Sequence, residues 1–189
     1  MPAWMIPGIK CAPPHVFLRE MACVSERVVV WCAHHIAAME TLYQETLVYA
    51  RREVLPAGTR HPEVVYRLSE ELCALTGWED ATPISTSALD REMLEPTYMG
   101  HGLAIPHARV AGLPQAAVYL CRATEGIECP SGTATLIVMI AVPMEKPDWY
   151  LHLLSRTIRW RMRSGHTEEY FLNTPAEELC RSLREAIVS

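Results

Sequence analysis

The chain has 189 residues, of which 50% are hydrophobic and 21% are charged, and its formal net charge is −5 at pH 7. This balance is typical of a folded globular protein, and the negative charge excludes nucleic-acid binding through bulk electrostatic attraction. The apolar runs are far shorter than the ~20 residues of a membrane span, and the N-terminal residues lack a secretory pattern, so we expect a cytoplasmic protein without direct membrane contact.

Residues 1–43 are predicted to form an N-terminal extension. Residues 1–15 contain four prolines and are expected to be irregular. From Val16 to about Tyr43 the apolar residues recur every three to five positions, which predicts a long amphipathic helix with an interruption near the strand-like VVVW run. Its apolar stripe needs a partner surface, either on the main domain or on a second copy in a homodimer, and the sequence leaves both open.

Residues 44–189 are predicted to form one α/β domain, an α+β sandwich. We expect a central mixed β-sheet of about five strands flanked by helices on both sides. Strands are predicted over Thr46–Leu55, within Gly100–His107, and over Ala116–Arg122 and Thr135–Val142. Helices are predicted from Arg60 to Gly77, over Ser85–Leu94 with a cap among residues 85–87, over Asp148–Met162 capped by Asp148, and over Pro175–Val188 capped by Thr174. The run from Thr135 to Val142 is apolar on both faces, which predicts a central strand.

The stretch GHGLAIPHAR, from Gly100 to Arg109, has an unusual order for strand material. Pro106 removes a hydrogen-bond donor and is tolerated only at a strand end, an edge or a bulge. The pattern therefore predicts a strand that stops and presents the imidazole of His107 at its tip.

The longer stretch ALDREMLEPTYMGHGLAIPHAR, from Ala88 to Arg109, resembles the signature of enzyme IIA domains of the phosphoenolpyruvate-dependent sugar phosphotransferase system. The class is the one with fructose, mannitol and nitrogen-regulatory members. The matching features are an Arg-Glu pair, a threonine, a glycine-rich turn and an apolar run that ends in Pro-His, here Arg91-Glu92, Thr97, Gly100 and Gly102, and Pro106-His107. The resemblance covers roughly residues 44–189 and leaves the extension outside.

The resemblance implies a phosphocarrier. His107 would accept a phosphoryl group from the histidine-containing phosphocarrier protein and pass it to a cysteine of a IIB partner, or hold it as a regulatory mark for a regulator or transporter. A neutral imidazole is nucleophilic near pH 7. Arg91 is the candidate for stabilising charge on the phosphoryl oxygens, although a surface ion pair with Glu92 or Glu95 is the alternative for this residue. Gly100 and Gly102 would let the backbone approach the anion.

A second histidine often follows the central strand in this family, in a His-Leu-x-x-Leu pattern. Here residues 150–155 read YLHLLS, so either Tyr150 or, with a shift of two residues, His152 takes this position. Positions i and i+2 do not share a helix face, and the leucine spacing favours Tyr150. A tyrosine there favours a regulatory or sensory member over bulk sugar transport. Thr97 and His101 are further candidate accessory residues, although His101 is as readily a turn residue. Arg109 is expected to be a solvated charge in preference to a phosphate or partner contact.

Two other readings compete with phosphotransfer. A metal site built from His101, His107 and either Cys129 or His152 lacks helical or CxxC spacing, so we expect no metal and no cofactor. The seven cysteines are odd in number and have no CxxC pair, which predicts reduced thiols. The stronger alternative is a IIA-like module that binds a transporter or regulator without phosphotransfer.

Overall fold

Six strands and five helices are present in the computed structural model, which describes residues 45–188. The predicted extension over residues 1–43, with its proposed dimer contact, lies outside the described residues. The strands are β1 (Leu47–Ala50), β2 (Tyr98–Gly100), β3 (Leu103–Ala104), β4 (His107–Val110), β5 (Ala117–Cys129) and β6 (Gly132–Pro143). The helices are α1 (His61–Thr76), α2 (Thr82–Leu94), α3 (Pro147–Arg161), α4 (Glu168–Asn173) and α5 (Ala176–Val188).

All six strands belong to one mixed sheet in which β6 is central. β5 and β6 form an antiparallel hairpin, and β1 pairs in parallel with the outer edge of β5. On its other edge β6 pairs in parallel with β3 and, further along, with β4, while β2 pairs with β3. The predicted α/β class and the central position of residues 135–142 are confirmed, with six strands instead of about five.

Helices cover both faces of the sheet. One face of β5, with Ala117, Tyr119 and Cys121, shares a core with α1 and α2. The alternate residues Val118 and Leu120 are completely buried on the opposite side. There α3, α4 and α5 contact β6, β5 and β1, respectively. None of the helices among residues 45–188 is long and apolar enough to cross a membrane.

Several helices begin at other residues than predicted, because a proline in the first turn and the residue before the helix determine where each one begins. α2 begins at Thr82, with Pro83 in its first turn and the Thr82 N–H donating to Asp80 Oδ1 at 2.8 Å. α3 begins at Pro147 after Lys146, so Asp148 lies inside the first turn and is not the cap. Proline is favoured in a first turn because its missing donor is not needed there. Thr174 ends the short helix α4, which the sequence did not predict.

The edge formed by β3 and β4 positions the residues after the glycine turn. Pro106 separates these two strands, and its carbonyl accepts a hydrogen bond from the Ile140 N–H of β6 at 3.0 Å. Pairing with β6 then resumes, with His107 opposite Ile140. A strand therefore does stop before Pro106, but His107 is the first residue of β4 and does not lie at the tip of β3.

Candidate functional site

A depression of about 690 Å³ lies at the edge of the sheet, between α2 and α3. Among the described strands β4 pairs only with β6, and its other edge is met by α2, where Ser87 Oγ is 3.2 Å from Arg109 N and 3.3 Å from Arg109 O. The depression is lined by Pro83, Thr86, Ser87, Asp90, Arg91, Leu94, His107, Arg109, Val110, Ala111, Met144, Pro147, Asp148, Tyr150 and Leu151. Three of the predicted site residues, His107, Arg91 and Tyr150, therefore come together.

The imidazole of His107 is only 7% exposed, and its Nδ1 lies 3.0 Å from the carbonyl oxygen of Ile105. A carbonyl oxygen can only accept, so Nδ1 carries the proton and Nε2 has the lone pair when the ring is neutral. Burial lowers the pKa of His107, and the nearby guanidinium groups of Arg91 and Arg109 act in the same direction. The ring is therefore neutral at pH 7, with its nucleophilic nitrogen defined.

Tyr150, near the start of α3, stacks on the His107 ring. The ring centroids are 4.4 Å apart and the planes differ by 25°. Burial raises the pKa of Tyr150, so the phenol is uncharged at neutral pH. His152 does not line the depression. The structure thus places the tyrosine, and not the later histidine, beside His107.

Arg91, in the last turn of α2, extends along the depression and contacts Glu95. Its Nη1 donates to the Glu95 carbonyl at 2.9 Å and its Nη2 to the Glu95 carboxylate at 3.1 Å. The side chain is 34% exposed. The alternative of an ion pair is therefore realised with Glu95, while the guanidinium remains at the depression. Arg109, for which we preferred a solvated charge to a phosphate contact, also lines it.

Glu92 and Thr97 lie behind the depression and do not line it. Neighbouring residues on a helix point about 100° apart, so Glu92 turns inward where Arg91 turns outward. Glu92 is 7% exposed and Thr97 is 3% exposed. The Glu92 carboxylate accepts hydrogen bonds from the Thr97 N–H at 3.1 and 3.2 Å and from its hydroxyl. Glu92 was expected only as part of the Arg91-Glu92 pair and as a possible partner of Arg91. That pair is the sequence feature that points to its buried role.

The turn between β2 and β3 lies away from the depression. His101, with φ of 51°, is exposed and its carbonyl accepts a hydrogen bond from Arg161. A Cβ on Gly102 would lie 2.6 Å from Thr135 Oγ1 and 2.8 Å from Glu168 Oε1. A side chain at Gly102 would therefore force the Thr135 and Glu168 side chains to move, in addition to the strain of its positive φ. Neither Gly100 nor Gly102 lines the depression, so the expected approach of their backbone to an anion there gains no support.

The alternative metal site is not formed. Within residues 45–188 no three His, Cys, Asp or Glu side chains come together in a way that could hold a metal ion. Cys129 is buried, and desolvation raises the pKa of its thiol to about 12, which disfavours the thiolate that a metal needs.

Comparison with known proteins identifies the family. Residues 55–184 match the model of the family described as phosphoenolpyruvate-dependent sugar phosphotransferase system, EIIA 2. A curated relative is the PTS system 2-O-alpha-mannosyl-D-glycerate-specific EIIABC component of Escherichia coli (strain K12), which is 26% identical over 128 residues. The match covers 61% of this chain and 20% of the relative, so the chain spans about a fifth of that protein's length.

Solved structures share the fold. The nitrogen regulatory protein IIA-Ntr from Neisseria meningitidis matches with a TM-score of 0.58 and 21% identity, over 77% of this chain and 99% of that protein. IIA mannitol from Escherichia coli matches with a TM-score of 0.55 and 20% identity, over 74% and 96%. The family match covers more than half of the chain, and it includes Arg91, His107 and Tyr150. The chain therefore belongs to the EIIA 2 family of the phosphoenolpyruvate-dependent sugar phosphotransferase system.

Proposed function

We propose that this chain is a phosphocarrier that accepts a phosphoryl group on Nε2 of His107 from the histidine-containing phosphocarrier protein. The observation that carries the proposal is the hydrogen bond from His107 Nδ1 to the Ile105 carbonyl. This bond keeps the proton on Nδ1 and leaves the lone pair on Nε2 free to attack phosphorus. Family membership supplies the reaction class, and the depression supplies access for a partner.

The proposed step is an in-line transfer between two imidazoles. The Nε2 lone pair of His107 forms the new P–N bond, while the donor's P–N bond breaks and its electron pair remains on the donor's ring nitrogen. The Nδ1 proton stays in the hydrogen bond to Ile105, and the donor ring leaves as a neutral imidazole because its other nitrogen carries a proton in the reacting form. Such a transfer needs positioning and stabilisation of charge on the phosphoryl oxygens.

Arg91, Arg109 and Tyr150 are the residues that would serve the transfer. The guanidinium of Arg91 can bind two phosphoryl oxygens once it leaves Glu95. An exposed pair spaced i,i+4 is worth only about 0.3–0.5 kcal/mol, and the release also breaks the exposed hydrogen bond to the Glu95 carbonyl, which water can replace. Arg109 adds a second positive charge at the depression. Tyr150 holds the plane of the imidazole by stacking.

We further propose a regulatory destination for the phosphoryl group in preference to bulk sugar transport. The support is Tyr150, which stacks on His107 where the family often has a histidine and, being uncharged, cannot offer the phosphoryl oxygens the positive charge of an imidazolium. One structural relative is a nitrogen regulatory protein. Another is a complex of IIA mannitol with phosphorylated IIB mannitol from Escherichia coli, so a IIB cysteine is the other candidate recipient.

A second candidate function is a non-catalytic module that binds a transporter or regulator. The observation that favours it is the pairing of Arg91 with Glu95, which leaves the proposed phosphoryl-binding cation already engaged. The two candidate functions differ in whether His107 becomes phosphorylated.

The decisive experiment is intact-mass spectrometry after incubation with phosphoenolpyruvate, enzyme I and the phosphocarrier protein. The wild-type chain should gain one acid-labile phosphoryl group. The His107→Ala variant should gain none, whereas His101→Ala, a matched change outside the depression, should keep the gain. No gain by the wild-type protein with cognate carriers would leave the binding module as the function.

A further inference from the structure

A chain of hydrogen bonds connects a buried carboxylate to the imidazole of His107. The Thr97 N–H and hydroxyl donate to Glu92. The Thr97 carbonyl accepts from the Ile105 N–H at 3.0 Å. The Ile105 carbonyl accepts from His107 Nδ1 at 3.0 Å. We call Glu92, Thr97, Ile105 and His107, joined in this order, the relay.

Burial makes each of these contacts costly to replace. Ile105 is 0% exposed, Thr97 is 3% exposed and Glu92 is 7% exposed. Water therefore has little access to take over a lost partner, and a buried polar group without its hydrogen bond costs roughly 1–3 kcal/mol. The relay is thus a fixed part of the fold and does not depend on solvent.

The relay supports the Ile105 carbonyl at a point where the sheet does not. Ile105 and Pro106 lie between β3 and β4, outside both strands. The Ile105 N–H bonds only to Thr97, just beyond the Tyr98–Ala104 pair at the end of the β2–β3 ladder. The orientation of this peptide, and with it the direction of its carbonyl, therefore depends on where Thr97 is held. Glu92 holds Thr97 through two donors.

We propose that Glu92 and Thr97 are positioning residues for His107: they hold the Ile105 carbonyl so that Nδ1 keeps its proton and Nε2 presents its lone pair. Neither residue lines the depression, so each would orient the imidazole through Ile105, and the charge of Glu92 acts on the His107 pKa in addition. The inference rests on the proposed phosphorylation of His107, but the state of the imidazole can be measured without it. A ring protonated on Nε2 instead of Nδ1 has no lone pair at the position the donor reaches.

The first test reads the tautomer in the unphosphorylated full-length chain. Two-bond ¹⁵N–¹H correlation spectra of the imidazoles at about pH 7.5, where histidine is neutral, distinguish Nδ1–H from Nε2–H, and the His107→Ala spectrum assigns the signals. Wild-type His107 should be the Nδ1–H tautomer. Glu92→Gln and Thr97→Val should show both tautomers, while Thr97→Ser, which keeps the hydroxyl, should restore the wild-type spectrum.

The second test measures phosphorylation by the phosphocarrier protein at varied carrier concentration. In Glu92→Gln and Thr97→Val the maximal rate should fall by about ten- to a hundredfold, the loss expected when a reacting group is misplaced. The half-saturating carrier concentration should stay unchanged, because the docking surface is intact. Thr97→Ser should stay within about threefold of wild type.

The matched control is Glu71→Gln on α1. Glu71 accepts a hydrogen bond from the Tyr119 hydroxyl at 2.6 Å and another from Arg51, and it is not part of the relay. It should lower stability without changing the tautomer or the rate. A folded Glu92→Gln protein with the wild-type tautomer and a wild-type maximal rate would overturn the relay. If the wild-type chain takes up no phosphoryl group, the proposed function fails, and the tautomer spectra alone then decide the relay.

Discussion

The imidazole of His107 is surrounded by groups that act on its pKa in opposite directions. Burial lowers the pKa most, and Arg91 and Arg109 lower it further. The hydrogen bond to Ile105 and the charge of Glu92 raise it. The net direction is downward, so a larger fraction of the ring stays neutral at mildly acidic pH than for an exposed histidine.

Replacing Arg109 by glutamine should therefore raise the pKa of His107 toward its ordinary value. The reason is that a nearby cation disfavours the imidazolium form. The measurement is an NMR titration of the His107 ring in wild-type and variant chains.

Arg159→Gln is the matched control for this titration. Arg159 lies on α3 and bonds to Ser155 of its own helix, not to His107. A His107 titration curve unaltered by Arg109→Gln would show that the charge of Arg109 does not reach the ring.

The sequence predicted the residues that line the depression better than the buried residues behind it. His107 and Arg91 belong to a local pattern with fixed spacing, and both lie at the depression. The choice between Tyr150 and His152 depended on where α3 begins, which Pro147 and packing decide. The relay passes through the backbone carbonyls of Thr97 and Ile105. Because any residue type can supply a backbone carbonyl, the amino-acid sequence does not reveal these contacts.

At the scale of elements, the turn between β2 and β3 offers two glycines in similar conformations but different surroundings. Both have positive φ, 83° for Gly100 and 70° for Gly102. A Cβ on Gly100 would meet nothing within 4 Å, whereas on Gly102 it would meet Thr135 and Glu168.

The free energy of unfolding in urea should distinguish backbone strain at positive φ from steric overlap of an added Cβ at these two glycines. Gly100→Ala should lower the free energy of unfolding by about 1 kcal/mol, the cost of a left-handed alanine. Gly102→Ala should lower it further, because the Thr135 and Glu168 side chains must also move to admit the Cβ. Equal losses in the two variants would contradict the packing role of Gly102.

The predicted elements were most accurate where long apolar patterns specify them. α1 ends at Thr76 before Gly77, as its pattern predicted, and β6 is the central strand. The stretch from Tyr98 to Val110 instead forms three short strands, because the glycine turn and Pro106 interrupt pairing twice. α4 has six residues, too few to establish a helical period.

At the scale of the whole molecule, the histidines with a perturbed pKa make stability depend on pH in one direction. Burial lowers the pKa of His61, His107 and His166. Below about pH 6.5 the unfolded chain binds protons at these positions that the folded chain does not. The free energy of unfolding should therefore fall as the pH falls from 7.5 to 5.5.

Denaturant unfolding at several pH values checks this dependence. The carboxylates with lowered pKa, Glu63, Asp80 and Glu177, titrate in a more acidic range and do not contribute in this window. A His107→Gln variant, with one such group fewer, should show a shallower decrease. Stability that is constant or rises on acidification would contradict the assignment.

The pairing of β4 with β6 also fixes the order in which the molecule can acquire its site. His107 is aligned by Ile140, which is 33 positions later in the chain, and Tyr150 follows later still. Parallel pairings between distant segments form slowly, because a long loop must close before any contact compensates for it. During synthesis, residues 88–109 therefore emerge with every atom of the signature but without the arrangement that makes His107 reactive. Only a chain that has folded through α3 would then accept a phosphoryl group on His107. The extent of phosphorylation would therefore depend on the fraction of folded chains as well as on how much of the donor is phosphorylated.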